Sequence, residues 1–73
     1  MPPRARDVAR VLERDYGIAV ERPASGSHWM LVRGSLKYPL PLHNGLKSEL
    51  PDWSLRGICR AFAIDADELR RKL

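Results

Sequence analysis

The chain has 73 residues, with thirteen Lys and Arg against nine Asp and Glu, leaving a formal charge of +4 with both histidines neutral. That length holds one hydrophobic core, which excludes a multidomain enzyme, and a hydrophobic share of 44% excludes a disordered tail. The lone Cys59 excludes an internal disulfide and a cysteine-built zinc site, and no apolar run reaches the ~18 residues of a membrane-spanning helix.

A single domain over residues 1–73 is therefore expected, cytoplasmic because the start of the chain lacks a signal-peptide pattern, and without a membrane partner. From about Arg4 to Tyr16, Ala5, Val8, Ala9, Leu12 and Tyr16 recur at three- and four-residue steps, which predicts a helix with one apolar face. Gly17 suits a left-handed cap at its end. The opposite side interleaves Arg6, Arg10 and Arg14 with Asp7, Glu13 and Asp15, the pattern of a solvated surface laced with local ion pairs.

The next stretch reads as three short strands: Ile18–Arg22, His28–Arg33 and Leu36–Leu42. They are separated by the Pro23-Ala-Ser-Gly26 turn and by a tight Gly34-Ser35 connection. Pro39 and Pro41 lack N–H groups on the same side of the third strand, which confines it to a sheet edge. A loop from His43 to Trp53 follows, then a helix capped by Ser54 whose Leu55, Ile58, Cys59 and Phe62 form a core-facing stripe. In that stripe Cys59 is a small buried hydrophobe. A short last helix opens on Asp65 and Glu68, a capping box, with Ile64 and Leu69 as a hydrophobic staple. Its Arg70-Arg71-Lys72 end suits a helix C-terminus.

The expected fold class is α+β in the order α-β-β-β-α. It has a three-stranded antiparallel sheet, the two longer helices on one face and a short C-terminal helix.

Chemistry has few places to reside. His28 and His43 are the only side chains with unperturbed titration near neutrality, and no phosphate loop, metalloprotease helix, nucleophile elbow or carboxylate cluster is present. Neither a metal nor a cofactor is expected. By composition alone His28 reads as a strand-end surface histidine, with the Ser27 hydroxyl placed to bind phosphate or orient the ring. His43 reads as the residue that ends a strand, with a structural or accessory role. Trp29 and Trp53 serve either as packing or as stacking platforms for bases.

Three segments in order, Gly26-Ser27-His28 opening a strand, Pro41-Leu42-His43 ending the next, and Ser54-Leu55-Arg56-Gly57-Ile58 at a helix start, resemble the HicA (YcfA-like) toxin family. The resemblance extends from the first helix to about Ile64. It implies a double-stranded-RNA-binding-like fold and the activity of an mRNA interferase, a ribonuclease that cuts messenger RNA and is silenced by a HicB-type antitoxin. It also implies that His28 is catalytic. Around these segments the chain carries Pro23-Ala24-Ser25 and Trp29-Met30-Leu31 where the family is more polar or basic, and Glu49 and Asp52 where lysines are common.

RNA can be cut without a metal if a histidine takes the proton of a ribose 2′-OH and cations offset the charge on the phosphorane. Arg22, Arg33 and Lys37, on the strands nearest His28, are the candidate RNA contacts. A non-catalytic nucleic-acid- or protein-binding module on the same scaffold is the alternative. With no motif for reading particular bases, weak sequence preference is expected.

Overall fold

A computed structural model describes residues 1–73 and contains helix α1 (Ala5–Tyr16), strands β1 (Ala19–Glu21), β2 (His28–Arg33) and β3 (Leu36–Pro41), and helices α2 (Asp52–Phe62) and α3 (Ala66–Lys72). A 3-10 turn, Gly45–Lys47, interrupts the segment between β3 and α2. The strands form one antiparallel sheet in the order β1-β2-β3. The architecture is thus α+β, with an open three-stranded meander and three helices.

Helix α1 stops because Gly17 takes the left-handed conformation (φ 65°, ψ 26°) and its N–H donates to the Leu12 carbonyl, so an orphan acceptor is satisfied at a residue without a Cβ penalty. The buried face comprises Ala5, Val8, Val11 and Leu12, while Ala9 and Tyr16 lie at its half-buried margins. The outer face carries the expected ion pairs, Arg10 with Asp7 at 3.8 Å and Arg14 with Asp15 at 2.9 Å. Gly34 (φ 61°) and Ser35 join β2 to β3 in two residues, with positive φ confined to the first as in a type II′ hairpin turn.

Edge placement of β3 follows from its ladder. The Leu42 N–H donates to the Ser27 carbonyl at 2.7 Å, which makes the next pair, His28 with Pro41, and then Met30 with Pro39, non-hydrogen-bonded pairs. In such pairs the backbone N positions face away from the partner strand, so both prolines present their missing donors to the outer edge, where no strand pairs.

The start of α2 differs from the sequence expectation. Asp52, not a residue after Ser54, opens the helix, with Pro51 in the capping position, and Ser54 lies buried within the first turn. Proline presets φ for a helix start, and an Asp in the first turn meets the positive end of the helix dipole, so no hydroxyl cap is needed. Arg4 and Glu49 form an isolated antiparallel bridge, with Leu50 N–H donating to the Pro3 carbonyl at 2.8 Å, which pins the chain ahead of α2 to the start of α1.

In α3, Asp65 caps as expected, accepting from the N–H groups of Asp67 and Glu68. Glu68 does not close the box by reaching back; its carboxylate accepts instead from the Tyr16 hydroxyl, tying α3 to the end of α1. Cys59 is buried, and burial pushes its thiol pKa up, as suits an inert core residue.

One cluster of sixteen buried residues forms the core, drawn from the inner faces of all three helices, from Trp29, Leu31, Leu40 and Leu42, and from Ile18, Leu50 and Ile64 beside the elements. Leu31 has no exposed surface and sits on the central strand. Leu31→Ala is expected to cost about 2–5 kcal/mol, read as a fall in the urea midpoint.

Burial and then the Glu68 hydrogen bond push the Tyr16 phenol up to about 12. The folded state therefore holds this proton more tightly than the unfolded chain, whose tyrosines ionise near ~10. Stability from this group is complete below that value and is lost as pH rises through about 12. Ultraviolet difference titration of a Tyr38→Phe variant should show the remaining phenol ionising late, and Glu68→Gln should bring its midpoint down.

Candidate functional site

Strand geometry decides which residues of β2 can meet a ligand. Trp29 and Leu31 are buried against the helices, and Arg33, half-buried, follows the same alternation. His28, Met30 and Val32 take the other face, opposite Pro41, Pro39 and Lys37 of β3, with Glu21 and Ala19 of β1 beside Met30 and Val32. No helix covers this face. His28 is exposed at its end, next to Gly26, whose φ of 83° bends the chain into the strand. Its neighbour across the ladder is Pro41, with Cα atoms ~4.5 Å apart as in any non-hydrogen-bonded pair. Ser27 holds the ladder through its carbonyl, and its side chain is half-buried.

The three cations nominated by strand position do not gather at His28. Arg33 lies at the opposite end of the hairpin, paired with Leu36, and points to the helix side. There it donates to the Phe62 carbonyl at 2.9 Å and stacks over the Phe62 ring at 5.5 Å. The guanidinium thus closes the C-terminal end of α2 and faces away from the His28 side of the sheet. Arg22 is exposed, with its guanidinium over the Trp29 ring at 5.1 Å, on the helix-side margin of the sheet. Lys37 shares the open face with His28, but four ladder positions away, ~13 Å along the strand. Neither Arg22 nor Lys37 is in an ion pair, whereas Arg10, Arg14, Arg56, Arg70 and Lys72 all pair with carboxylates on the helices.

Two concavities flank these elements. The larger, about 550 Å³, lies among Pro2, Pro3, Asp7, Leu50, Leu55 and Leu73. Its remaining charged walls, Asp52 and Arg70, are hydrogen-bonded to each other, and this contact holds the Asp52 carboxyl below its usual range. The smaller, about 310 Å³, opens between the end of β3 and the first turn of α2, and includes Pro41, His43, Glu49 and Trp53. His43 is exposed on its wall.

This cleft was not visible in the sequence, where its residues read as a punctuated loop. The one available signal was Trp53, whose exposure depends on which way the first turn of α2 faces. No group of three or more His, Cys, Asp or Glu side chains is arranged to hold a metal ion. The chain matches no known protein-family model, no curated protein and no solved structure.

Because His28 is exposed and Arg33 is engaged, their substitutions should separate. His28→Ala is expected to move unfolding free energy by less than about 0.5 kcal/mol. Arg33→Ala, losing a hydrogen bond and a ring contact, should cost about 1–2 kcal/mol. Urea unfolding followed by circular dichroism measures both.

Proposed function

We propose that this chain is a HicA-like mRNA interferase, a cytoplasmic endoribonuclease toxin that cleaves messenger RNA, inhibits translation and is held inactive by a HicB-type antitoxin. The observation that carries this reading is the position of His28, an exposed imidazole at the end of the central strand on the sheet face that no helix covers. A polymeric substrate can reach it there. The convergence of the family's segments supports the same reading: Gly26-Ser27-His28 and Pro41-Leu42-His43 are adjacent across the ladder, and Pro41, His43 and Ser54 line one cleft. The element order and the open three-stranded antiparallel sheet support the double-stranded-RNA-binding-like arrangement that the family implies.

In the proposed reaction His28, as the neutral imidazole, takes the proton of a ribose 2′-OH. The 2′-oxygen attacks the adjacent phosphorus, the bond from phosphorus to the 5′-oxygen breaks, and a proton is returned to that oxygen. The products are a 2′,3′-cyclic phosphate and a free 5′-hydroxyl, with no oxidant, reductant or metal required by the balance. A base positioned this way contributes about 10²–10⁴-fold. Ser27, which precedes His28 in the chain, and Arg22 and Lys37, free of ion pairs, are the groups proposed to meet phosphate, with affinity that falls as salt rises.

The second reading, a module that binds without cutting, is favoured by one feature: no cation stands beside His28, and Glu21 lies on the same open face.

Expression in a bacterial host is expected to arrest growth, and the purified protein to leave 2′,3′-cyclic phosphate ends on RNA. His28→Ala should lose at least about a hundredfold of cleavage with its fold intact. A wild type that neither arrests growth nor cuts RNA, or a His28→Ala variant that cuts as well, would overturn the ribonuclease reading in favour of the binding module.

A further inference from the structure

The two tryptophans have opposite fates. Trp29 is 7% exposed in the core, whereas Trp53, in the first turn of α2, is 73% exposed and forms one wall of the 310 Å³ cleft. The other walls include Pro41, His43, Ser48, Glu49 and Ser54. That volume is at the small end of ligand pockets, and a flat aromatic wall of this kind is what unstacked bases bind.

The charge of the cleft narrows its occupant. No Lys or Arg lines it, and the Glu49 carboxylate makes no ion pair; the guanidinium of the bridged neighbour, Arg4, is bound to the Lys47 carbonyl at 3.0 Å. An unpaired carboxylate repels phosphate, so the chain of an RNA stays outside the cleft and a neutral base enters. A carboxylate offers two acceptors and no donor. Guanine alone among the four bases presents two adjacent N–H donors on its Watson–Crick edge. Adenine and cytosine place a ring acceptor next to their amino group, and uracil flanks its single N–H with carbonyls.

We infer that this cleft is a base-binding subsite selective for guanine, with Trp53 as the stacking wall and Glu49 as the group that reads the base edge. The inference rests on the RNA reading proposed above for its biological substrate. Pro41 joins the two places, since it walls the cleft and is the cross-strand neighbour of His28. A guanine held there sets the adjoining phosphate beside the imidazole, and cleavage acquires a base preference that the sequence had not suggested.

Titration of the protein with the four nucleoside monophosphates, followed by indole fluorescence, tests the site without requiring cleavage. GMP is expected to quench the emission with a Kd at least about tenfold below those of AMP, CMP and UMP, the discrimination of one bidentate base contact. Trp53→Ala should abolish the quench, and Glu49→Gln should bring GMP to the level of the other three. Both side chains are exposed, so the variants should keep the fold, checked by circular dichroism.

A signal indifferent to every nucleotide, equal affinity for all four, or an unaltered GMP preference in Glu49→Gln would overturn the subsite. Guanine binding by a protein that cuts no RNA would overturn the ribonuclease reading and leave the subsite standing. RNA cleavage by a protein indifferent to GMP would do the reverse.

Discussion

Everything in this domain depends on the two-residue alternation of its central strand. β2 is paired on both sides and can bury only one face, because the helices are all spent on that face and 73 residues supply no second layer. Trp29 and Leu31 are consequently core, Arg33 is drawn under the end of α2, and His28 is presented to solvent. A one-residue slip of the strand would bury the imidazole and expose the indole. The register is held against that slip by the non-bonded prolines of β3, the two-residue turn at Gly34-Ser35 and the Leu42–Ser27 hydrogen bond beyond the strand end.

The same economy governs charge. Five of the thirteen cations are held on the helices, in local pairs and in the Asp52 contacts that bind α2 to α3, where Arg70 holds the Asp52 carboxyl low. The sheet is left with a few unpaired cations scattered along its length. The net charge of +4 is therefore not concentrated near His28, and the cleft beside it contains a free carboxylate. Under the proposed RNA reading, electrostatics of this kind favour recognition of bases through shape and hydrogen bonds over a simple grip on phosphate.

Local rules carried much of the fold. The apolar stripe of α1, its glycine stop, the Asp65 cap and the exclusion of a paired neighbour beyond β3 are each consequences of residues close in sequence, and each stands in the structure. Two local readings failed where a distant partner intervened. Ser54 is the better capping residue by type, but the bridge between Arg4 and Glu49 and the burial of Leu50 bring the chain into α2 earlier, at Pro51. Glu68 is spaced to complete a capping box, but the Tyr16 hydroxyl takes its carboxylate.

The sequence by itself determined the element types, their order, the edge position of the proline-bearing strand and the candidacy of His28, because periodicity, caps and turn chemistry act over a few residues. Only the tertiary structure decided what His28 faces, since the face taken by each strand residue depends on register and on the side the helices choose. It placed Arg33 under Phe62 and away from His28, it separated Lys37 from the imidazole by the length of a hairpin, and it gathered Trp53, Glu49 and His43 into one cleft from a segment that reads as a loop. Proximity of that kind arises from packing between residues far apart in the chain, which no local pattern encodes.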